Sequence, residues 1–233
     1  MNEDNTRYAI YYAPDPHSQL WRFGSQCLGY DAFSGEDCLF IDPLPLPQAD
    51  WLSLTDEPRR YGFHATLKAP FTLKSGQSET ELRDAFDHFS TYQSSVWLSG
   101  LHISCLQGFV AFLPTSSSAD LQDLAKNTVL AFEPYRAELS AQDLERRLKS
   151  PLSEPQKAYL RQYGYPFVLD EFRFHMTLTG RLPTGECSHL ANDLQDRFDA
   201  LVTPGPVHIN RIALFKQADR SGPFRIIHAA QLK

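Results

Sequence analysis

The string Phe63-His64-Ala65-Thr66-Leu67 returns 111 residues later as Phe174-His175-Met176-Thr177-Leu178. Both read Phe-His-x-Thr-Leu. Side chains of an extended strand alternate between faces, so His64 and Thr66 project together while Phe63, Ala65 and Leu67 project to the other side. His175 and Thr177 repeat the arrangement against Phe174, Met176 and Leu178. A lone histidine on a strand is ordinarily a hydrogen-bonded surface or core residue. The same polar pair occurring twice implies instead two half-sites that face one ligand.

The sequence around each motif extends the correspondence. Leu82, Phe86 and Phe89 fall at i, i+4 and i+7 of a helical pattern, as do Leu194, Phe198 and Leu201, and both segments contain Asp-x-Phe-Asp. Strand-like segments follow, with Val96, Leu98, Leu101 and Ile103 matching Val207, Ile209, Ile212 and Leu214. A further strand closes each half, at 108–113 and 224–230. The halves therefore read as one α+β unit used twice. The first repeat spans about 61–113 and the second about 172–230, in a single bilobal domain over 1–233. Two antiparallel sheets facing a central cleft, with helices outside, would bring His64 and His175 to its opposite sides. A strand over 7–13 and a helix over 19–28 complete one lobe. Residues 31–60, with Pro43, Pro45 and Pro47, read as a loop. Between the repeats, about 134–170 reads as a helical insertion, with helices at 141–149 and 154–163. Its Tyr135, Arg136 and Tyr165 are candidates to wall a phosphate site.

Composition narrows the functional classes. With 42% hydrophobic and 21% charged residues, 233 residues can bury a sizeable core. A net charge of -6 excludes a general binder of long nucleic acid, which needs many lysine and arginine contacts. A small phosphate ester needs only a few. No Gly-rich phosphate loop of the triphosphate or dinucleotide type occurs. Neither a membrane span nor a secretory leader is legible around the polar Met1–Asn5, so the expectation is a cytoplasmic enzyme without a membrane partner. Cys27, Cys38, Cys105 and Cys187 lack metal-ligand spacing and read as buried or idle thiols.

The paired motifs resemble those of the two-histidine phosphoesterase superfamily, whose members carry His-x-Thr/Ser-x on two strands. The stretches Tyr61–Phe71, Glu133–Arg136, Gly164–Pro166 and Phe172–Gly180 are similar to its branch associated with phosphonate metabolism. The resemblance covers nearly the full length. It implies a cyclic-phosphodiesterase-like fold, no required metal or other cofactor, and hydrolysis of cyclic phosphates or related small esters.

The chemistry agrees with the residues. Imidazole, with an unperturbed pKa of about 6.5, suits both proton transfers of phosphoester cleavage. His64 and His175 would divide the roles of base and acid, giving a bell-shaped rate profile across roughly pH 5 to 8.5. Thr66 and Thr177 would donate hydrogen bonds to non-bridging oxygens. Strand alternation adds Lys68 beside His64 and Arg173 beside His175 as cations for the phosphate. Tyr61 joins the candidate substrate-binding residues from the branch motif. A different class, a nucleotide or RNA-end binding module without turnover, would use the same hydroxyls and cations but no titrating imidazole.

Overall fold

The computed structural model describes residues 6–233; the polar opening Met1–Asn5 lies outside the described residues. The chain runs through β1 (Arg7–Tyr12), α1 (Gln19–Leu28), β2 (Tyr30–Asp31), β3 (Glu36–Asp37) and α2 (Gln48–Arg59). The first histidine strand β4 (Ala65–Phe71) follows, then α3 (Glu79–Tyr92), β5 (Val96–Leu98), β6 (Leu101–Leu106) and β7 (Phe109–Pro114). Three helices come next: α4 (Ala119–Phe132), α5 (Ala141–Leu148) and α6 (Glu154–Tyr163). The second histidine strand β8 (Met176–Arg181) leads into α7 (Thr184–Asp199), β9 (Val207–Ile209), β10 (Arg211–Gln217) and β11 (Arg225–Gln231). From each histidine strand onward the order is the same: strand, helix, three strands.

This is an α+β fold built on antiparallel pairing. The main sheet has the order β11-β10-β1-β4-β8-β7-β6. Its two parts, β11-β10-β1-β4 and β8-β7-β6, meet through a single residue pair, Ala65 with Met176. The two sheets expected from sequence are thus joined at one seam. The helices pack outside, α3 on β10 and β11, α4 on β4, α7 on β6 and β7, and α2 on β8. The opening strand β1 does not sit at the edge of a lobe. It lies between β10 and β4, next to the first motif.

Local chemistry fixes the helix ends. Ser78 and Glu81 form a reciprocal capping box at α3, and Ser153 with Gln156 forms another at α6. Gly164 ends α6 in the left-handed region at φ 71°, a conformation that carries little penalty only without a Cβ. The helices over 141–149 and 154–163 are present, at Ala141–Leu148 and Glu154–Tyr163.

Two readings of the sequence need correction. Residues 31–60 are not loop throughout, because α2 occupies Gln48–Arg59 and buries Trp51 and Thr55. The proline cluster ends at Pro47, which caps that helix, and its N–H-free ring suits a helix start. The second correction concerns the thiols. Cys105 on β6 and Cys187 on α7 form a disulfide, with Cα atoms 5.6 Å apart, because α7 packs on β6. Cys27 and Cys38 remain free. No helix among the described residues is long and apolar enough to cross a membrane.

Candidate active site

The seam between the two parts of the sheet explains how motifs 111 residues apart converge. Ala65 and Met176 are fully buried and pair across antiparallel strands. His64 and Thr66 flank Ala65, and His175 and Thr177 flank Met176. All four therefore stand on the opposite face, and all four line one cavity of about 470 Å³. Tyr61 and Tyr165 line it too, as do Tyr11, Glu57 and Phe109.

Each histidine is held in the same way. His64 Nδ1 lies 2.9 Å from the Gly62 carbonyl, and His175 Nδ1 lies 2.7 Å from the Arg173 carbonyl, two residues back in both cases. A carbonyl only accepts, so Nδ1 carries the proton and Nε2 is the nitrogen free to exchange one. His64 Nε2 sits 3.2 Å from the Thr66 hydroxyl. Behind His64, Phe63 is fully buried against α1, where Gly24 leaves the space its ring fills: a Cβ on Gly24 would overlap that ring. Gly62 is equally constrained, with φ 71° and a hypothetical Cβ 2.7 Å from the Ala32 Cβ.

Burial tunes both imidazoles toward the neutral form. The His64 pKa falls to about 4, chiefly because desolvation penalises the charged ring; the Gly62 carbonyl opposes this, and the nearby His175 adds to it. His175 is lowered as well, by desolvation against the Arg173 carbonyl. Tyr11, only 1% exposed, stacks on His64 with ring centroids 3.8 Å apart. Its hydroxyl is pushed well above the usual tyrosine range by burial, so it stays protonated.

The candidates outside the motifs divide. Tyr61 and Tyr165 lie where expected. Arg173 is exposed and lines an adjoining cavity of about 230 Å³ that shares Thr66, Tyr165 and His175 with the first. Lys68 does not join His64. It is 3% exposed, and its ammonium donates to the Val129 carbonyl at 3.1 Å and to Glu133 at 2.8 Å, under α4. The cause is a register shift. Tyr11 pairs with Thr66 but Ile10 pairs with Lys68, so β4 holds one extra residue there and the alternation slips. The second motif strand slips at the same point, and Thr179, the counterpart of Lys68, turns inward to accept from the Val110 N–H at 3.0 Å. Arg136 is also committed elsewhere, to Glu133 and to the Ala137 and Gln162 carbonyls. Tyr135 packs beside Phe132 against the core. Neither lines the histidine cavity.

Sequence reading missed Tyr11 and also Arg181, which lines both the histidine cavity and the adjoining one. The strand read over 7–13 is present as β1, but only its position beside β4 shows that Tyr11 faces His64. Among the described residues no group of three His, Cys, Asp or Glu side chains is placed to hold a metal ion.

The architecture defines an α+β protein whose paired polar motifs meet over one sheet seam. The chain belongs to the family described as "Protein of unknown function (DUF1045)", whose model matches residues 66–225. It is similar to two curated relatives, each named "Ribose 1,5-bisphosphate phosphokinase PhnN". The first, from Janthinobacterium sp. (strain Marseille), is 32% identical over 96% of this chain and 50% of its own length. The second, from Laribacter hongkongensis, is 33% identical over 94% of this chain and 50% of its own. The chain thus spans about half the length of the curated relatives it matches. Among solved structures, E. coli LigT complexed with 3'-AMP aligns over 98% of both chains at 12% identity and a TM-score of 0.46. TT0787 of Thermus thermophilus aligns over 97% of both at 12% identity and 0.44.

Proposed function

We propose that this chain is a metal-independent phosphoesterase that opens a small cyclic phosphate or cleaves a small phosphodiester, using two histidines as general base and acid. The observation that carries the reading is the pair of imidazoles in one cavity, each with Nδ1 tied to a carbonyl and Nε2 left to exchange a proton. In hydrolysis, His64, the more readily neutral of the two, takes a proton from water as its oxygen bonds to phosphorus. His175 gives a proton to the departing ester oxygen as that P–O bond breaks. Thr66 and Thr177 donate to the non-bridging oxygens, where negative charge builds. Ring opening gives a phosphomonoester carrying a new hydroxyl; cleavage of an acyclic diester gives a phosphomonoester and a free alcohol. We further propose that about 61–113 and about 172–230 are repeats of one unit, with about 134–170 inserted between them.

The relatives' name supports a sugar phosphate as the ligand class. Opening a ring phosphate that includes O1 of ribose 5-phosphate would release a ribose bisphosphate, the kind of compound that name specifies. The phosphokinase activity in the name is not assigned to this chain, which lacks the Gly-rich phosphate loop of common kinases and matches half of those proteins. A place in phosphonate metabolism rests on the sequence resemblance.

The test is turnover of a panel of sugar cyclic phosphates, nucleoside cyclic phosphates and phosphonate esters in the presence of EDTA. At least one compound should be cleaved, and His64→Gln or His175→Gln should lower kcat by about 10²- to 10⁴-fold while binding survives. Tight binding without cleavage of any compound would make the chain a binding module. Activity lost to EDTA and restored by a divalent metal would overturn the two-histidine assignment.

A further inference from the structure

Beyond Ala69, Pro70 and Tyr165, which line the histidine cavity, lies a further cavity of about 590 Å³ that the same three residues also line. Five cationic side chains reach it, but they are not equivalent. Lys68 and Arg136 share the Glu133 carboxylate. Arg220 is exposed on the turn before β11. Arg7 and Arg147 are different, because both are partly withdrawn from solvent and neither forms an ion pair among the described residues. Arg7 Nε donates to the Gln217 amide oxygen at 2.7 Å, and its guanidinium lies 5.3 Å from the centre of the Phe224 ring. Arg147 uses Nη1 to donate to the Gly164 carbonyl at 2.8 Å. Each fork keeps further N–H groups.

These two arginines come from β1 and α5, far apart in sequence, and line the same cavity. Two partly buried cations on one cavity wall, without ion-pair partners among the described residues, are costly to desolvate. Of the acids on the cavity wall, Asp143 offsets part of the Arg147 charge. Asp143 is engaged by Arg146, and Glu138 is exposed. A phosphate dianion between two guanidinium forks would satisfy both, through bidentate charge-assisted hydrogen bonds.

We propose that Arg7 and Arg147 form a second anion site, so that the substrate is a small ester with two phosphorus groups: one reacts at His64 and His175, and a distal phosphate is held beyond Tyr165. The proposal rests on the hydrolase reading for the role of the first site but not for the existence of the second.

The experiment measures, by titration calorimetry at fixed ionic strength, the affinity of the full chain for ribose 1,5-bisphosphate and for ribose 1-phosphate. Neither contains a diester to cleave, and they differ only in the distal phosphate. The bisphosphate should bind at least about tenfold more tightly. Arg7→Gln and Arg147→Gln should each remove most of that preference and leave ribose 1-phosphate within about twofold of its original affinity. Arg7→Lys and Arg147→Lys keep the charge without the fork. They decide the matter if a glutamine variant misfolds, and the preference must shrink in them too. Equal affinities in the unaltered chain, or a preference that survives every substitution, would overturn the second site while leaving the hydrolase reading to its own turnover panel. A preference abolished as described in a chain that cleaves no ester would keep the site and remove the hydrolysis.

Discussion

His64 carries two consequences of burial that can be measured separately. In the proposed mechanism His64 is the base and must be neutral, so kcat/KM should rise with pH through about 4, and His175 is the acid and must be charged, so the rate should fall through a value below the ordinary 6.5. The bell expected from free imidazoles across roughly pH 5 to 8.5 therefore moves toward acid for the unliganded chain. Bound phosphate favours imidazolium, so the profile of kcat should lie at higher pH than that of kcat/KM. Coincident profiles centred above neutrality would contradict this. Stability follows the same group with a definite sign. Between its unfolded value of about 6.5 and its folded value of about 4, His64 binds a proton more readily in the unfolded chain, so stability falls as pH drops through that window. At about 1.36 kcal/mol per pH unit the loss is on the order of 3 kcal/mol. Urea midpoints measured from neutral to acid pH should decline less steeply in His64→Gln.

At the level of elements, the extra residue in β4 decides what the first motif strand contributes. It turns Lys68 away from the cavity and into a buried group with Glu133 and Arg136, at the junction of α4 with the turn that follows. Glu133 is the only anion of that trio, so Glu133→Gln leaves two nearly buried cations unmatched and should cost about 3–5 kcal/mol. Lys68→Met removes one cation and leaves Glu133 paired with Arg136, so it should cost less. Denaturant unfolding of the two variants gives the order directly. Lys68→Met should also leave the pH profile of turnover in place, because its ammonium does not face the histidines. A changed profile would return Lys68 to the site.

Across the whole molecule, the Cys105–Cys187 disulfide closes a separation of 82 residues and ties β6 to α7 on the flank of the sheet. In the chain-entropy account a loop of that size confers about 4 kcal/mol, with measured losses commonly about 2–5 kcal/mol. Cys105→Ser/Cys187→Ser should therefore lower the thermal midpoint appreciably. Neither cysteine lines the histidine cavity, so kcat should change little. A parallel loss of turnover would mean that α7 helps to set the seam.

The paired histidines and threonines, their common face, the shared order of elements after each, and both helices over 141–149 and 154–163 were legible in the sequence. Those features depend on local periodicity: a strand repeats every two residues, a helix every 3.6, and a cap is read from its own neighbours. The tertiary structure decided what depends on a second segment. Whether Lys68 faces the cavity is set by its pairing with Ile10, whether Tyr11 meets His64 by the place of β1 in the sheet, and whether two cysteines bond by the packing of α7 on β6. No local period encodes these contacts, because each arises only when distant residues are buried against one another and the backbone register yields to satisfy both.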